Sequence, residues 1–308
     1  MLCHVNNKFC REVIIIFIKI FVKFLRICPH RFALLLGDLI GRLLRLILWK
    51  KVDRCEARCV KSLGVGVTLA REIVKKSFIN LGMSAVEFIR IPVIKSRLNE
   101  LVEFPEESQE LLRYALSQGR GAVLMCTHMA NWELAAARVI NAGFALNAVY
   151  TPQRDNKINS IIENIRENFS GMKMITSEGG GLREIFKTLK SGGILVIMQD
   201  LDARQDGIIT KFLGIDASTH EGIAKLYKKF KCPVIAARYF RDWAKPEQHY
   251  IRFKEILSDR LDKNGHEFGE DIKASIEMCN NFIENCIKET PEQWLWLLDK
   301  WEYTQGKI

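Results

Sequence analysis

An α/β fold with a mixed, largely parallel central sheet flanked by helices, preceded by amphipathic membrane-type helices, is the class that this 308-residue sequence predicts. Three observations carry it. From Gly121 onward, short apolar runs alternate with stretches of helical periodicity, as strands joined by crossover helices do. Before Gly121, the chain reads as helices. The positive charge is also confined to one end. Residues 1–62 hold 13 Lys+Arg and 4 Asp+Glu, a net +9, and residues 63–308 hold the other 33 and 32, a net +1.

Taken in order, residues 13–28 read VIIIFIKIFVKFLRIC. Lys19, Lys23 and Arg26 fall at i, i+4 and i+7, one basic stripe on a helix that is otherwise Ile, Phe, Val and Leu. The longest uncharged run, Val13 to Ile18, is six residues. A spanning helix needs about 18 apolar residues in succession, so a helix lying in the membrane interface fits better than a span. Pro29 ends this segment, and residues 32–49 repeat the pattern with Asp38, Arg42 and Arg45 on one side. Lys and Arg on such helices reach lipid phosphates while their stems stay in the apolar layer. No small-residue cleavage site follows, which argues against a removed signal peptide. The interleaved residues are aliphatic and no nucleic-acid motif accompanies the charge, which argues against nucleic acid as partner. Residues 1–62 are therefore expected to form a basic, membrane-associating module appended to an α/β domain over residues 63–308.

Residues 67–91 and 106–118 are expected helices. AVLMC (122–126), ALNAVY (145–150), MKMIT (172–176), ILVIMQ (194–199) and PVIAARYF (233–240) read as strands. Helical stretches at 132–142, 156–168, 181–190 and 220–230 separate them. YIRFKEI (250–256) reads as a later, edge strand. A helix over 270–289 and a compact aromatic tail over 291–301 close the chain, with Trp294, Trp296 and Trp301 read as core apart from one indole open to lipid. Hydrophobic residues make up 48% of the chain, ample for such a core. The nine cysteines are scattered and form no C-x-x-C pair, which suits reduced thiols facing a cytosol and argues against zinc.

Chemistry concentrates in THMANWE, residues 127–133. Ligands of such sheets bind beyond the carboxyl ends of the strands, and Cys126 ends one. His128 then lies in the loop, Asn131 caps the following helix and Glu133 falls in its first turn. On one continuous helix the two side chains would point about 140° apart. A loop leading into a helix start lets them converge. A carboxylate beside an imidazole sets its tautomer and stabilises the imidazolium, which is equipment for deprotonating a hydroxyl. No nucleophilic Ser stands in an elbow motif, so the hydroxyl is expected to be the substrate's own. Gly179-Gly180-Gly181 is not a phosphate loop, because no Gly-Lys-Ser/Thr follows it.

Several further blocks, in order, resemble the bacterial lipid A biosynthesis (late, secondary) acyltransferases of the lysophospholipid acyltransferase superfamily, from about residue 10 to residue 301. His128 and Glu133 match the family's H-x4-D/E motif. VYTPQRDN (149–156) is similar to its VYRP-type strand end, and Arg166 to the Arg on its next helix. GLREIFKTLKSGGILVIMQD (181–200), KFLGIDAST (211–219) and PEQWLWL (291–297) resemble three later blocks. The chain departs from the family at Gln199–Asp202 and at Thr219–Gly222, positions that bear on acyl-chain preference.

The resemblance implies a glycerolipid acyltransferase-like fold. It implies transfer of an acyl group from a thioester of acyl carrier protein or coenzyme A to a hydroxyl of a lipid A precursor or related glycolipid, on an anionic membrane surface. It further implies the cytoplasmic face of an inner membrane, with no cofactor and no metal. His128 would be the general base, Glu133 its partner and Arg166 the oxyanion donor, with Asn131, Arg154, Asp200 and Thr219 binding substrate. A glycerophospholipid or other glycolipid acceptor, and a non-catalytic lipid-binding homologue, are the alternatives. A metal hydrolase would need a second His at ligand spacing, which the sequence lacks.

Overall fold

The computed structural model describes residues 19–151, 156–177 and 179–306. Nine strands occur among them: β1 (Val102–Glu103), β2 (Ala122–Cys126), β3 (Leu146–Tyr150), β4 (Lys173–Thr176), β5 (Ile194–Met198), β6 (Ile208–Phe212), β7 (Ile215–Thr219), β8 (Val234–Arg241) and β9 (His249–Ile256). Seven form one sheet in the order β1-β9-β8-β2-β5-β3-β4. All neighbours are parallel except β8 and β9, so the sheet is mixed and largely parallel.

The main helices are α1 (His30–Ile47), α2 (Trp49–Leu63), α3 (Val67–Ile94), α4 (Glu106–Ser117), α5 (Trp132–Asn141), α6 (Asn156–Asn164), α7 (Gly181–Lys190), α8 (Gly222–Phe230) and α9 (Ile272–Glu289). Strand β2 is central, and all five of its residues are buried, as a strand covered on both faces requires. Asp271 caps α9 by accepting from the Ala274 amide, as Asn131 caps α5.

Three features differ from what the sequence predicts. β9 is not the edge, because two-residue β1 pairs with it through Val102 and His249; so short a strand carries no periodicity to read. Residues 208–219 form an antiparallel hairpin, β6–β7, that the sequence did not announce. Its turn is Leu213–Gly214, both at positive φ, +48° and +78°. This is the two-residue geometry that hairpins favour, built without the usual Asn-Gly. Trp294, Trp296 and Trp301 are all buried, and each indole N–H donates inside the protein. The exposed indole is Trp49 instead.

The expected N-terminal helix at 13–28 lies partly outside the described residues; within them, 19–27 is helical. α1 crosses α3 at a seam of glycines. A Cβ on Gly82 would stand 2.2 Å from the Gly37 carbonyl oxygen, and one on Gly41 would stand 2.3 Å from that of Phe78. This close approach buries Ala33 and Leu34 and leaves Leu35, Leu39, Leu43 and Leu46 facing outward, joined by Ile20, Phe24 and Ile27 from the preceding turns. α2 packs Val52, Cys55 and Cys59 into the main core, and Arg58 pairs with Asp299 near the other end of the chain. The stretch Val67–Leu101, which contains α3, is long and apolar enough to cross a membrane, but 67% of its most apolar window is buried inside the protein.

Candidate active site

The register of two neighbouring strands builds the site. β2 and β5 run parallel with Cys126 opposite Met198. The Gln199 amide then donates to the Cys126 carbonyl at 3.0 Å and carries the ladder one step past the strands. His128 and Asp200, each two residues beyond the Cys126–Met198 pair, emerge side by side at the carboxyl edge.

Asp200 is fully buried and takes up three donors. The His128 amide reaches Oδ2 at 2.8 Å, the Trp294 indole reaches Oδ2 at 2.9 Å, and the imidazole Nδ1 lies 2.9 Å from Oδ1. Burial pushes the Asp200 carboxyl pKa up, but the His128 charge and these hydrogen bonds outweigh it and hold it below the usual range. A buried carboxylate only accepts, so Nδ1 carries the hydrogen and Nε2 is left as the basic nitrogen. The His128 side chain is 17% exposed, and the Trp132 ring stands edge-on to it at 5.1 Å. The His128 carbonyl accepts from the Leu295 amide at 2.9 Å, which ties the loop to the aromatic tail.

Glu133 stands in the first turn of α5, as the sequence predicts, but it does not meet the imidazole. It receives Arg166 at 2.5 Å through Nη2 and at 3.1–3.2 Å through Nε, and the Trp132 indole at 3.1 Å. Arg166 lies in a π-helical turn, Ile165–Ser170, that continues α6. Single π turns often mark functional positions because the extra residue re-aims one side chain. Burial would lower the Arg166 pKa, but the Glu133 carboxylate raises it. The expectation that Glu133 orients His128 is therefore corrected: Asp200 holds the imidazole, and Glu133 holds the guanidinium. Trp132 links the two pairs, its ring against one and its N–H toward the other.

The other expected residues fall in different settings. Asn131 is buried, with Oδ1 capping α5 at the Leu134 amide and Nδ2 donating to Glu87 at 2.8 Å. Both ends of the amide are consumed inside the protein, so it is not offered to a substrate. Thr219 is fully buried in β7 and accepts from Thr210 at 3.0 Å, so its hydroxyl too is used internally. Arg154 lies outside the described residues. Among the described residues no three His, Cys, Asp or Glu side chains gather as a metal site would require.

Two contributors escaped the sequence reading. Trp294 looked like core but donates to Asp200. Lys300 is fully buried and donates to the Leu201 and Ser218 carbonyls at 2.7 and 2.9 Å, pinning the segment after Asp200 to β7. Burial lowers its pKa to about 8. A buried Lys in an aromatic tail leaves no signature along the chain. A groove of about 580 Å³ between α1, α3 and the loop at Trp243 includes none of the residues named in this site.

A Haemophilus influenzae protein named lipid A biosynthesis acyltransferase is 25% identical over 194 residues, covering 61% of this chain and 56% of that protein, so the match spans little more than half of the relative's length. The profile of the bacterial lipid A biosynthesis acyltransferases matches residues 5–303. With its His-x4-Glu segment in place within a match over nearly its whole length, the chain belongs to the bacterial lipid A biosynthesis acyltransferase family.

Proposed function

We propose that this protein transfers a fatty acyl group from a thioester, on acyl carrier protein or coenzyme A, to a hydroxyl of a lipid A precursor or related glycolipid at a membrane surface. One observation carries the reading: in a member of this family, a buried carboxylate holds an imidazole at the sheet edge, and Trp132, edge-on to that imidazole, donates to the carboxylate that holds the Arg166 guanidinium. Nε2 of His128 removes the acceptor's hydroxyl proton. The resulting oxygen attacks the thioester carbonyl carbon, and Arg166 stabilises the oxyanion that develops. The C–S bond breaks, and the departing thiolate takes the proton from the imidazolium. Asp200 stabilises that imidazolium, and Glu133 keeps Arg166 aimed and neutralised between turnovers. No cofactor enters the scheme.

Membrane association is supported by the outward apolar face of α1 and by the +9 charge of residues 1–62. Exposed contiguous apolar surface of this kind marks an interaction site, and adjacent Lys and Arg favour anionic lipid. The cytoplasmic face of an inner membrane fits both the free thiols and the thioester donors.

The test is reconstitution. The full chain in detergent, given acyl thioester and lipid A precursor, should yield an acceptor heavier by one acyl group in mass spectra. His128→Ala should reduce that product at least about a thousandfold, as loss of a general base with its charge partner does. Product made equally well by His128→Ala would overturn the mechanism. Acylation of a glycerophospholipid with none of the lipid A precursor would overturn the acceptor.

A further inference from the structure

Ala130, between His128 and Glu133, has φ +47°. A residue with a Cβ seldom adopts that left-handed backbone, and it persists only where the surroundings over-determine it. Those surroundings are a buried polar lattice. The Ala130 amide donates to the Gln293 carbonyl at 2.8 Å. Its carbonyl accepts from Asn80 and from Ser84 on α3, both at 3.0 Å. The next residue, Asn131, donates to Glu87. Asn80, Ser84 and Glu87 lie at i, i+4 and i+7, so α3 presents all three on one face to the loop.

Behind them stands Arg241, 1% exposed. It donates through Nε to Asn80 at 3.0 Å, through Nη2 to Ser84 at 3.2 Å and Glu87 at 2.7 Å, and through Nη1 to Glu87 at 3.2 Å. Its backbone N–H and carbonyl both bond the Gln293 amide. Glu87 is fully buried and also takes His249 at 2.9 Å. Each group that grips the Ala130 backbone or the Asn131 side chain is thus itself gripped by Arg241.

We infer that Glu87 and Arg241 are positioning residues for acyl transfer: through Asn80, Ser84 and Asn131 their buried ion pair holds the strained turn that aims His128 and Glu133. This rests on the proposed roles of those two side chains. A buried ion pair is weak evidence for stability, because apolar residues of similar volume often replace one without loss. An apolar pair, however, could not hold Asn80, Ser84 and Asn131 in these orientations. Neither residue touches substrate.

Asn131→Ser separates the two functions of that side chain. Ser caps a helix about as well as Asn but is too short to reach Glu87. In the full-length detergent-solubilised protein, Asn131→Ser should melt within a few degrees of the parent. It should keep KM and lose about tenfold in kcat, since small misplacements of reacting groups cost that much or more. Amide hydrogen exchange across residues 127–134 should rise by about tenfold, a readout that needs no substrate. Ser84→Ala should show the same pattern more weakly, and provides the test if Asn131→Ser misfolds. Unchanged exchange in the well-folded variants overturns the inference whether or not the parent transfers acyl groups. So does parental kcat in both variants of an active enzyme. A parent inactive toward every thioester and acceptor would overturn the proposed function, while the exchange result would still decide whether the lattice holds the turn.

Discussion

Asp200→Asn separates the acceptor–imidazole–carboxylate arrangement from any scheme in which Glu133 is the partner of His128. The substitution keeps shape and volume. The His128 amide and the Trp294 indole both donate to the Oδ2 position, so the single oxygen of the new carboxamide is drawn there. The amide NH2 then faces Nδ1 of His128, which must accept. Its hydrogen moves to Nε2, the atom that has to be empty to take a proton. The charge is lost as well. At 2.9 Å and an effective dielectric of about 20, imidazolium and carboxylate attract by about 6 kcal/mol. Water at the partly open imidazole recovers some of this, leaving about 4–5 kcal/mol to be lost from the transition state. That corresponds to a fall of about 10³–10⁴ in kcat. Initial rates with labelled acyl thioester and lipid acceptor, varied separately, should show kcat falling with both KM values nearly unchanged. A kcat within about tenfold of the parent would refute Asp200 as the partner of the base.

Three other outcomes are expected. Glu133→Gln should lower kcat by about 10²–10³ and Arg166→Lys by a similar factor, because a lysine cannot meet the carboxylate through two nitrogens; steady-state rates check both. Lys300 has a folded pKa of about 8, below its ordinary 10.5, because burial disfavours the charge. The unfolded chain therefore binds more protons between these values, and this group makes stability rise as pH climbs from about 8 to about 10.5. Lys300→Met should remove that rise, of the order of 3 kcal/mol, seen as the difference between the two melting curves across pH. The comparison with the parent is needed because buried thiols such as Cys126, raised to about 12, pull stability down over part of the same window. Finally, Leu35→Glu/Leu39→Glu on the outward face of α1 should weaken binding to anionic vesicles more than tenfold in co-sedimentation without lowering the melting temperature, since each leucine loses roughly 1.5–3 kcal/mol of burial in lipid.

Much of the frame was legible in the residues. AVLMC at 122–126 is β2 to the residue, because a continuous apolar run of five bounded by glycine and a polar turn has few other forms. Asn131 as the cap of α5 was equally local, since the side chain satisfies an amide three residues away. The order of blocks along the chain likewise carried the family, which depends on spacing and not on contact.

What the chain alone determined is therefore what nearest neighbours decide: the strand-and-helix alternation, the caps, the basic amphipathic start and the presence of His128 and Glu133 around one turn. Only the tertiary structure decided which carboxylate faces the imidazole. Glu133 is five residues away and turns to Arg166, while Asp200 is 72 residues away and arrives beside His128 because β5 pairs with β2 in one particular register. The ion pair of Glu87 and Arg241 and the buried Lys300 belong to the same class. Along the chain they are ordinary charged residues until folding removes the water around them, and the energetics of a charge are set by what surrounds it in space.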